Sequence, residues 1–316
     1  MSYLAIIGAG QIGSRHLQGL AHLNRVAHIQ VVDPSPDSLA CSQERFNQVR
    51  GSGNVTVEFL TNLRDLNNQL DLAIIATTAD VRRKITEQLI QEKLVKNLIL
   101  EKIVFQSESD FASIATLLIQ KEVKAWINCP FRMWQGYQKI ASLKPRNLQF
   151  HVTGSQWNLA CNSIHYLDIF CLLTGTIPIK ISSDKLDPGS IPSKRKNFVE
   201  ITGTLTGTTQ NGCFSLTSWR EGHAPVTVHM TSDNLQCTVR EDLGRAWIAV
   251  GESSWTMHEE LFPTPFQSQL THLAVQEILD HDISSLPDFV TSWKVHTPIL
   301  RAISSHLGGA QPCPIT

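Results

Sequence analysis

The sequence predicts an α/β protein with two domains, the first built on a parallel sheet and the second on a large, open, mostly antiparallel sheet. Two observations support this fold class. Short apolar runs alternate with helix-like stretches through the first 125 residues, and from about residue 147 the strand candidates alternate apolar and polar residues between turn signals. The first pattern is typical of a parallel sheet covered by helices on both faces, and the second of a sheet with one solvated face.

The apolar runs of the first half predict strands, and the amphipathic segments between them predict helices. The strands are expected at residues 4–7, 29–32, 55–60, 72–76, 98–100 and 123–127. Helices are expected, for example, at residues 15–23, 81–92 and 109–121. We therefore place a first domain at 1–125 and a second at 126–316, with a carboxyl-terminal helix that can pack back on the first domain.

The second half carries a hairpin signal. Strand candidates at 199–204 and 214–218 flank Thr209-Gln210-Asn211-Gly212, and Asn-Gly between two strands is a strong local signal for a tight turn. Strand candidates at 226–231, 235–240 and 245–250 continue the alternation, and helices are expected near 162–173, 264–280 and 287–306. The chain thus predicts an open sheet with a few accompanying helices.

The composition excludes several classes of protein. Of the 316 residues, 42% are hydrophobic and 17% charged, with a formal net charge of -1, which excludes wholesale disorder and gives no support to nucleic-acid binding. The apolar stretches are far shorter than the roughly 20 residues that span a bilayer. The start of the chain is better explained as a first strand than as a secretory signal. Seven scattered cysteines without C-x-x-C spacing favour reduced thiols in the cytoplasm and no metal site.

A glycine motif indicates a cofactor. Gly8-Ala9-Gly10-Gln11-Ile12-Gly13 follows the first predicted strand and opens a helix, which is the G-x-G-x-x-G arrangement that holds a pyrophosphate at a helix N-terminus in Rossmann domains. Asp33 ends the second predicted strand, 20 residues after Gly13, as expected of a carboxylate that binds the adenosine ribose. With no Arg or Lys between Asp33 and Arg45, the sequence favours NAD over NADP. The alternative for Asp33 is a turn residue before proline.

Several motifs together resemble the glucose–fructose oxidoreductase, inositol dehydrogenase and rhizopine-catabolism (Gfo/Idh/MocA) family. The glycine motif continues to His16, Asp71-Leu72-Ala73-Ile74-Ile75-Ala76-Thr77-Thr78 resembles the family's fourth strand, and Glu101-Lys102-Ile103 resembles its Glu-Lys-Pro motif. Asn162-Ser163-Ile164-His165-Tyr166-Leu167-Asp168 resembles the segment that ends in His-x-x-Asp, and residues 286–307 resemble the closing helix.

The resemblance implies hydride transfer between nicotinamide and a hydroxyl-bearing carbon, usually of a sugar, a cyclitol or a derivative. It implies that Lys102 and His165 converge beside the nicotinamide and handle the hydroxyl proton. The residues expected to bind the cofactor are Gly8, Gly10, Gln11, Ile12, Gly13, Asp33, Thr77, Glu101 and Lys102. The residues expected to bind substrate are Arg132, Trp134, Trp157, Asn162 and Asp168, although plain packing and ion pairing are the alternatives for these side chains.

Three positions depart from the family pattern. Cys161 stands where the family places an Asp four residues before the histidine, Ile103 replaces the proline of Glu-Lys-Pro, and Arg82 replaces a common histidine. We expect the loss of the proline to remove any part it has in fixing the backbone, including a cis bond. Asp168 or Asn162 are candidates to replace the missing carboxylate by orienting His165. These departures leave the cofactor prediction intact and weaken the catalytic one.

Three functions stay open from the sequence. The leading one is an NAD-dependent oxidoreductase of a sugar or a sugar derivative, including nucleotide-linked sugars. A second is a reductase of a non-sugar substrate such as a bilin or an imine. The third is an NAD-binding sensor or regulatory protein, because the family includes a galactose-regulon repressor. The open sheet further predicts a homodimer or homotetramer.

Overall fold

The structure, a computed structural model, describes residues 1–49, 51–177 and 180–316. Its helices are α1 (Gln11–Leu20), α2 (Pro36–Asn47), α3 (Ala79–Glu92), α4 (Glu108–Gln120), α5 (Gln135–Ser142), α6 (Leu159–Thr174), α7 (Gln267–His281) and α8 (Phe289–His306). Its strands are β1 (Ser2–Ile7), β2 (Ala27–Val32), β3 (Val55–Leu60), β4 (Gln69–Leu70), β5 (Leu72–Ile75), β6 (Leu94–Val95), β7 (Asn97–Leu100), β8 (Lys124–Ile127), β9 (Leu148–Ser155), β10 (Lys180–Leu186), β11 (Ile191–Pro192), β12 (Val199–Glu200), β13 (Gly203–Thr209), β14 (Gly212–Trp219), β15 (Thr227–Thr231), β16 (Leu235–Arg240), β17 (Arg245–Val250) and β18 (His258–Leu261).

The chain divides into two compact units. The first comprises residues 1–130 and 265–290, and the second comprises residues 131–264 and 291–316. The division differs from a single boundary near residue 125, because α7 belongs to the first unit. Gly19 of α1 explains how closely α7 packs there, since a Cβ atom at this glycine would lie 2.8 Å from Cβ of Thr271.

The first unit contains the predicted parallel sheet, with strand order β3-β2-β1-β5-β7-β8. All four residues of β5 are buried, which confirms that its continuous apolar run is a strand covered on both faces. The strand order reverses at β1, which lies between β2 and β5. In open α/β sheets a ligand binds at such a switch point, beyond the carboxyl ends of the strands. The glycine motif follows β1 at this point.

The second unit contains the predicted mostly antiparallel sheet, with strand order β10-β13-β14-β9-β15-β16-β17-β18. Its one parallel pair among the described strands is β9 with β14. The Asn-Gly hairpin is confirmed, because β13 and β14 pair antiparallel on either side of it. Helix α6 covers one face of the sheet, where the ring of Phe170 lies 5.9 Å from Phe150 and 5.2 Å from Phe214.

One predicted strand is divided in two. The expected strand at 199–204 is interrupted after Glu200, and β13 begins at Gly203. Gly203 has a positive φ of 95°, and a Cβ atom there would lie 2.5 Å from the main-chain nitrogen of Asp187. The chain therefore turns at this glycine, and Glu200 is placed in the short strand β12, away from the large sheet.

Within the described ranges, no helix combines the length and the apolar character that crossing a membrane would require.

Candidate functional site

The glycine loop, residues Gly8 to Gly13, joins β1 to α1 as the motif predicts. Gly8 has a φ of +98°, and a Cβ atom at Gly13 would lie 1.7 Å from the carbonyl oxygen of Gly8, so both positions need glycine. Around Gly10 the space is open: no heavy atom of the described residues lies within 4 Å of a Cβ atom built there. A ligand can therefore approach the main chain at the N-terminus of α1, where free N–H groups and the helix dipole favour an anion.

Asp33 connects the end of β2 to the glycine loop. Its Oδ2 accepts a hydrogen bond of 2.8 Å from the N–H of Ala9, and its Oδ1 accepts one of 2.9 Å from the N–H of Ser35. The second bond is the turn interaction that was the alternative explanation, and the first places the carboxylate beside the loop that would hold a dinucleotide. Asp33 is half-buried, so part of it still faces solvent.

Arg45 is closer to the loop than its sequence position suggests. Its guanidinium donates to Oγ of Ser14 at 2.6 Å and to Oε1 of Gln11 at 2.7 Å, both in the first turn of α1. The main-chain carbonyl of Arg45 accepts a bond from Gln18, which brings the two helices side by side. In the sequence, Arg45 is 12 residues away from Asp33. The packing of α2 against α1 nevertheless places the positive charge of Arg45 beside Gln11.

Thr77 and Lys102 lie at the same edge of the parallel sheet. Thr77 follows β5 and Lys102 follows β7, and these strands are neighbours with Ile75 opposite Leu100. Oγ1 of Thr77 is buried and has no hydrogen-bond partner among the described residues. A hydroxyl in this position suits a ligand that supplies the missing partner. The glycine loop and this hydroxyl together fit a dinucleotide at the switch point.

Glu101, the residue before Lys102, is buried and bound by neighbouring side chains. Its Oε1 accepts a hydrogen bond from Nδ2 of Asn128 and lies 2.8 Å from Nε2 of His16, the last residue of the extended glycine motif. Burial acts to raise the pKa of Glu101, but the hydrogen bond with His16 and the nearby charges of Arg82 and Lys102 outweigh it and lower this pKa. In the structure the Glu101 carboxylate binds His16 and Asn128, whereas the sequence predicts that Glu101 binds the cofactor.

The network continues from His16 to α7. Nδ1 of His16 lies 2.9 Å from Oγ1 of Thr271, and Nε2 of Gln267 donates to the same oxygen at 3.0 Å. Nδ2 of Asn128 also donates to Oε1 of Gln267 at 2.8 Å. These bonds join α1, the ends of β7 and β8, and α7. No sequence motif marks the residues of α7 in this network.

Arg82 is a further candidate for supporting the site. In the sequence it was noted only as a departure from the family pattern, where it replaces a common histidine. It is 1% exposed, and its guanidinium donates to the main-chain carbonyls of Thr77, Ile103 and Val104. It therefore connects the segment after β5 to the segment after β7. In the segment after β7, the Lys102–Ile103 peptide bond is cis. This is contrary to the expectation that replacing the proline removes such a bond.

His165 lies in α6 of the second unit and is 9% exposed. The ring of Phe131 stacks on the imidazole with centroids 4.7 Å apart, and the ring of Trp134 stacks on Phe131 with centroids 4.2 Å apart. Nε1 of Trp134 is buried and has no partner in the part of the chain that the structure describes. Aromatic packing therefore holds the imidazole and leaves one indole donor for a ligand.

Two of the predicted substrate residues bind each other. Nε of Arg132 donates to Oδ2 of Asp168 at 2.6 Å, and the side chains are 15% and 2% exposed. Burial raises the pKa of Asp168, although Arg132 opposes that shift. Ion pairing, the alternative explanation for Arg132, is thus what the structure shows. Substrate binding by either residue stays a prediction.

Trp157 and Asn162 are also engaged within the unit. Nε1 of Trp157 donates to the carbonyl of Thr217 at 2.7 Å, and its ring meets Tyr166 edge to face at 5.4 Å. Nδ2 of Asn162 donates to the carbonyl of Trp157 at 2.9 Å. The structure thus places Trp157 and Asn162 at the beginning of α6, Asp168 in the second half of α6, and Arg132 and Trp134 in the segment before α5. Several of these side chains have packing roles.

Glu241 was missed by sequence reasoning and lies close to the same aromatic residues. Its carboxylate accepts hydrogen bonds from the hydroxyls of Tyr137 at 3.0 Å and Tyr166 at 3.1 Å. Burial raises its pKa to about 7, against the effect of these two bonds. A carboxyl that titrates near neutral pH is often part of a functional site. Only the fold brings Glu241 next to two tyrosines, so no spacing rule finds it.

Among the described residues, no group of three or more His, Cys, Asp or Glu side chains is arranged to hold a metal ion.

The first unit matches a known family. Residues 3–129 match the family model described as "Oxidoreductase family, NAD-binding Rossmann fold". No curated protein matches the chain.

Solved structures match nearly the whole chain at low identity. UDP-N-acetylglucosamine 3-dehydrogenase GnnA from Acidithiobacillus ferrooxidans is similar with a TM-score of 0.74 and 14% identity, over 98% of each chain. An oxidoreductase from Agrobacterium radiobacter, solved with NAD+, L-tartaric acid and magnesium, has a TM-score of 0.73 and 16% identity, over 98% of this chain and 97% of that one. The super-repressor mutant of Gal80p from Saccharomyces cerevisiae has a TM-score of 0.73 and 12% identity, over 98% and 96%.

At these identities the structural likeness establishes the fold, and the family match establishes the nucleotide-binding domain. Both agree with the glycine loop at the switch point, with Asp33 after β2 and with Glu101-Lys102 after β7. Residues 3–129 therefore match the NAD-binding Rossmann domain of the Gfo/Idh/MocA oxidoreductase family, and the chain as a whole shares the fold of the solved structures.

Proposed function

We propose that the protein transfers a hydride between NAD and a hydroxyl-bearing carbon of a sugar, a cyclitol or a sugar derivative, nucleotide-linked sugars included. The observation that carries this proposal is the position of Lys102. It directly follows Glu101, whose carboxylate is fixed by His16 and Asn128, and it directly precedes a segment that Arg82 holds. An amine at the carboxyl edge of a parallel sheet, on such a rigid support, suits work on a reacting oxygen.

In this proposal the chain binds the cofactor and handles one proton. When bound, NAD supplies the hydride acceptor, and its pyrophosphate rests on the N–H groups of Gly10 to Gly13. Lys102 stabilises negative charge on the substrate oxygen, and His165 takes or gives the hydroxyl proton. Asp33 binds the adenosine ribose, and its negative charge disfavours the 2′-phosphate of NADP.

The substrate class rests on chemistry and on similarity. The indole donor of Trp134 and the stacked rings beside His165 are suited to a hydroxyl-rich ring. A dehydrogenase of UDP-N-acetylglucosamine is among the solved structures with this fold, which supports including nucleotide-linked sugars.

The test is a substrate panel of sugars, cyclitols, nucleotide sugars, bilins and imines, offered to the purified protein with NAD or NADH and followed by NADH absorbance. We expect turnover of one class of hydroxyl or carbonyl substrate. Turnover of a bilin or an imine alone would identify the non-sugar reductase instead.

The second candidate is an NAD-binding sensor without turnover. Cys161 favours it, because a thiol stands where the family resemblance places a carboxylate. The structural likeness to a Gal80p super-repressor mutant adds weight to it. A sensor and an enzyme both bind NAD, but a sensor would change no substrate of the panel. Tight NAD binding with no turnover would therefore favour the sensor.

The open sheet of the second unit supports a proposal of self-association. One of its faces carries α6, while side chains such as Gln149, His151, Thr153 and His229 on the opposite face are partly or fully exposed. We propose that this face meets a second copy of the chain in a homodimer or homotetramer. Sedimentation that gives a monomer at micromolar concentration would contradict this.

The cysteines support a reducing compartment, and we propose the cytoplasm. All seven are free thiols, and those at positions 129, 171, 237 and 313 are buried. Secreted proteins usually use such residues in disulfides. Fractionation of cells that produce the protein tests this location.

A further inference from the structure

Two histidines meet in the first unit, where the end of α1 packs against α7. The ring centres of His22 and His272 lie 5.7 Å apart, and the ring planes are inclined at 57°. His22 is exposed and His272 is half-buried. Sequence spacing does not indicate this pair, because the two histidines lie near opposite ends of the chain. The fold therefore brings together two imidazoles that no motif connects.

The segments that carry the two rings are packed closely on either side of them. A Cβ atom built at Gly19 of α1 would lie 2.8 Å from Cβ of Thr271, the residue before His272. The next charged residue after His22, Arg25, forms an ion pair of 2.6 Å with Asp280 of α7. These contacts hold α7 against the end of α1, so a ligand between the rings does not have to draw the segments together.

One ring nitrogen of the pair lacks a partner. Nδ1 of His272 is buried and forms no hydrogen bond with any of the described residues. Burial, and after it the neighbouring His22, lower the pKa of His272, which favours its neutral ring. A neutral imidazole has one nitrogen with a free lone pair. Buried polar atoms are normally satisfied, so this nitrogen indicates a bound partner that the chain itself does not supply.

The separation of the rings fits two ligands of one metal ion. An imidazole nitrogen binds Zn²⁺ at about 2.0–2.1 Å, and with the ring centre roughly 1 Å further away, two imidazoles on one ion have centres about 5 to 6.5 Å apart. The distance between His22 and His272 lies within this range. Imidazole is a preferred ligand of Zn²⁺, Ni²⁺ and Cu²⁺. The exposed ring of His22 is free to turn a nitrogen toward an ion held by His272.

We propose that His22 and His272 form a binding site for a divalent transition-metal ion of the class of Zn²⁺, Ni²⁺ and Cu²⁺, which joins the end of α1 to α7. Water completes the coordination, because in the part of the chain that the structure describes no third His, Cys, Asp or Glu joins the pair to form a larger group. The ion is therefore held less tightly than in a closed site of four protein ligands.

The ion would hold together two helices that support Glu101. His16 of α1 lies within hydrogen-bond distance of both Glu101 and Thr271 of α7. The two histidines are far apart in the unfolded chain, so an ion that binds both of them binds the folded protein and stabilises it by mass action. This effect needs neither NAD nor a substrate.

The test is a titration of the purified full chain with Zn²⁺, followed by calorimetry and by histidine NMR. The variants are His22→Asn and His272→Asn, each of which removes one imidazole. His281→Asn, which removes an exposed histidine at the end of α7, is the matched control. Comparison with this control separates the proposed site from Zn²⁺ bound by other histidines or by free thiols.

We expect Zn²⁺ to shift the imidazole signals of both His22 and His272, which are assigned by their absence from the respective variants. The affinity for Zn²⁺ should fall at least about 10-fold in His22→Asn and in His272→Asn, and stay within about two-fold in His281→Asn. Saturating Zn²⁺ should raise the thermal midpoint of the parent and the control by about 2 °C or more, and that of the two variants by less than about 1 °C.

Three results would overturn the inference. One is that Zn²⁺ leaves the signals of His22 and His272 unchanged, which would mean that water satisfies Nδ1 of His272. Another is equal affinity for Zn²⁺ in the parent and both variants, which would place the ion elsewhere. The third is a loss in only one of the two variants, which would mean that a single imidazole binds the ion. Absence of turnover would count against the proposed function and leave this site intact.

Discussion

The guanidinium of Arg82 donates to the main-chain carbonyl of Val104 at 3.0 Å, and it also binds the carbonyls of Thr77 and Ile103. A single buried cation thus joins the two segments that follow neighbouring strands of the parallel sheet. Lys102 lies within one of these segments. The arrangement makes Arg82 part of the support of the proposed site, although nothing places it in contact with substrate.

Replacing Arg82 should weaken the fold around Lys102. In Arg82→Met the three carbonyls lose a charged donor in a buried place, so we expect the free energy of unfolding to fall by about 2 to 4 kcal/mol. Arg83→Met is the matched control, because Arg83 is about one third exposed and pairs with Glu87 on the surface. It should change stability by less than about 0.5 kcal/mol. Urea unfolding measures both, and equal effects would contradict the assignment.

The glycine loop offers a substitution that the fold tolerates and the cofactor does not. The space beside Gly10 is open, so Gly10→Val should leave the thermal midpoint nearly unchanged while it blocks the approach of a pyrophosphate. We expect NAD affinity to fall at least about 10-fold in calorimetry. Gly13→Ala, by contrast, collides with Gly8 and should destabilise the protein itself. Unchanged NAD binding in Gly10→Val would show that the pyrophosphate lies elsewhere.

Asp33 should determine the choice between NAD and NADP. Asp33→Asn keeps one of the two oxygen acceptors that Ala9 and Ser35 use, and it removes the charge that repels a 2′-phosphate. The ratio of NADP to NAD affinity should therefore rise by about 10-fold. Asp37→Asn, an exposed position in the first turn of α2, is the control and should not alter the ratio. A parent protein that binds NADP more tightly than NAD would refute this prediction.

Glu241 should make stability depend on pH between about 4.5 and 7. Its pKa is raised to about 7 in the folded protein, from 4.5, so the folded state holds a proton that the unfolded state has lost in this window. Its contribution to stability therefore falls as pH rises through the window, by up to about 3 kcal/mol. Urea unfolding at pH 5 and 8 should show this loss in the parent and in Glu252→Gln, an exposed control, and a smaller loss in Glu241→Gln.

Local patterns predicted the sheets and the glycine loop well. The strand β5 and the Asn-Gly hairpin follow from runs of a few residues, and Gly8 and Gly13 follow from a motif whose steric reason the structure shows. Such features depend on neighbours in the sequence, and sequence periodicity reports them directly.

The residues that support the site could not be predicted in the same way. Glu200 contacts the first turn of α6, and Glu241 contacts two tyrosines, although both glutamates are far from these partners in the sequence. Arg45 contacts α1 only because α2 packs beside it. Arg132 and Asp168 were both singled out from the sequence as substrate-binding candidates, but the ion pair between them depends on tertiary packing. Long-range contacts of this kind leave no spacing signal in a single sequence.

The central claim is that Lys102 acts on a reacting substrate and not merely on the cofactor. The most direct measurement is the turnover of Lys102→Ala on the substrate that the panel identifies, together with its NAD affinity by calorimetry. His165→Ala is measured alongside it, and Lys96→Ala, an exposed lysine paired with Asp71, is the control. The account predicts that turnover falls by about 100-fold or more in Lys102→Ala and His165→Ala, while NAD affinity stays within a few-fold and Lys96→Ala matches the parent. Normal turnover in both Lys102→Ala and His165→Ala would contradict it.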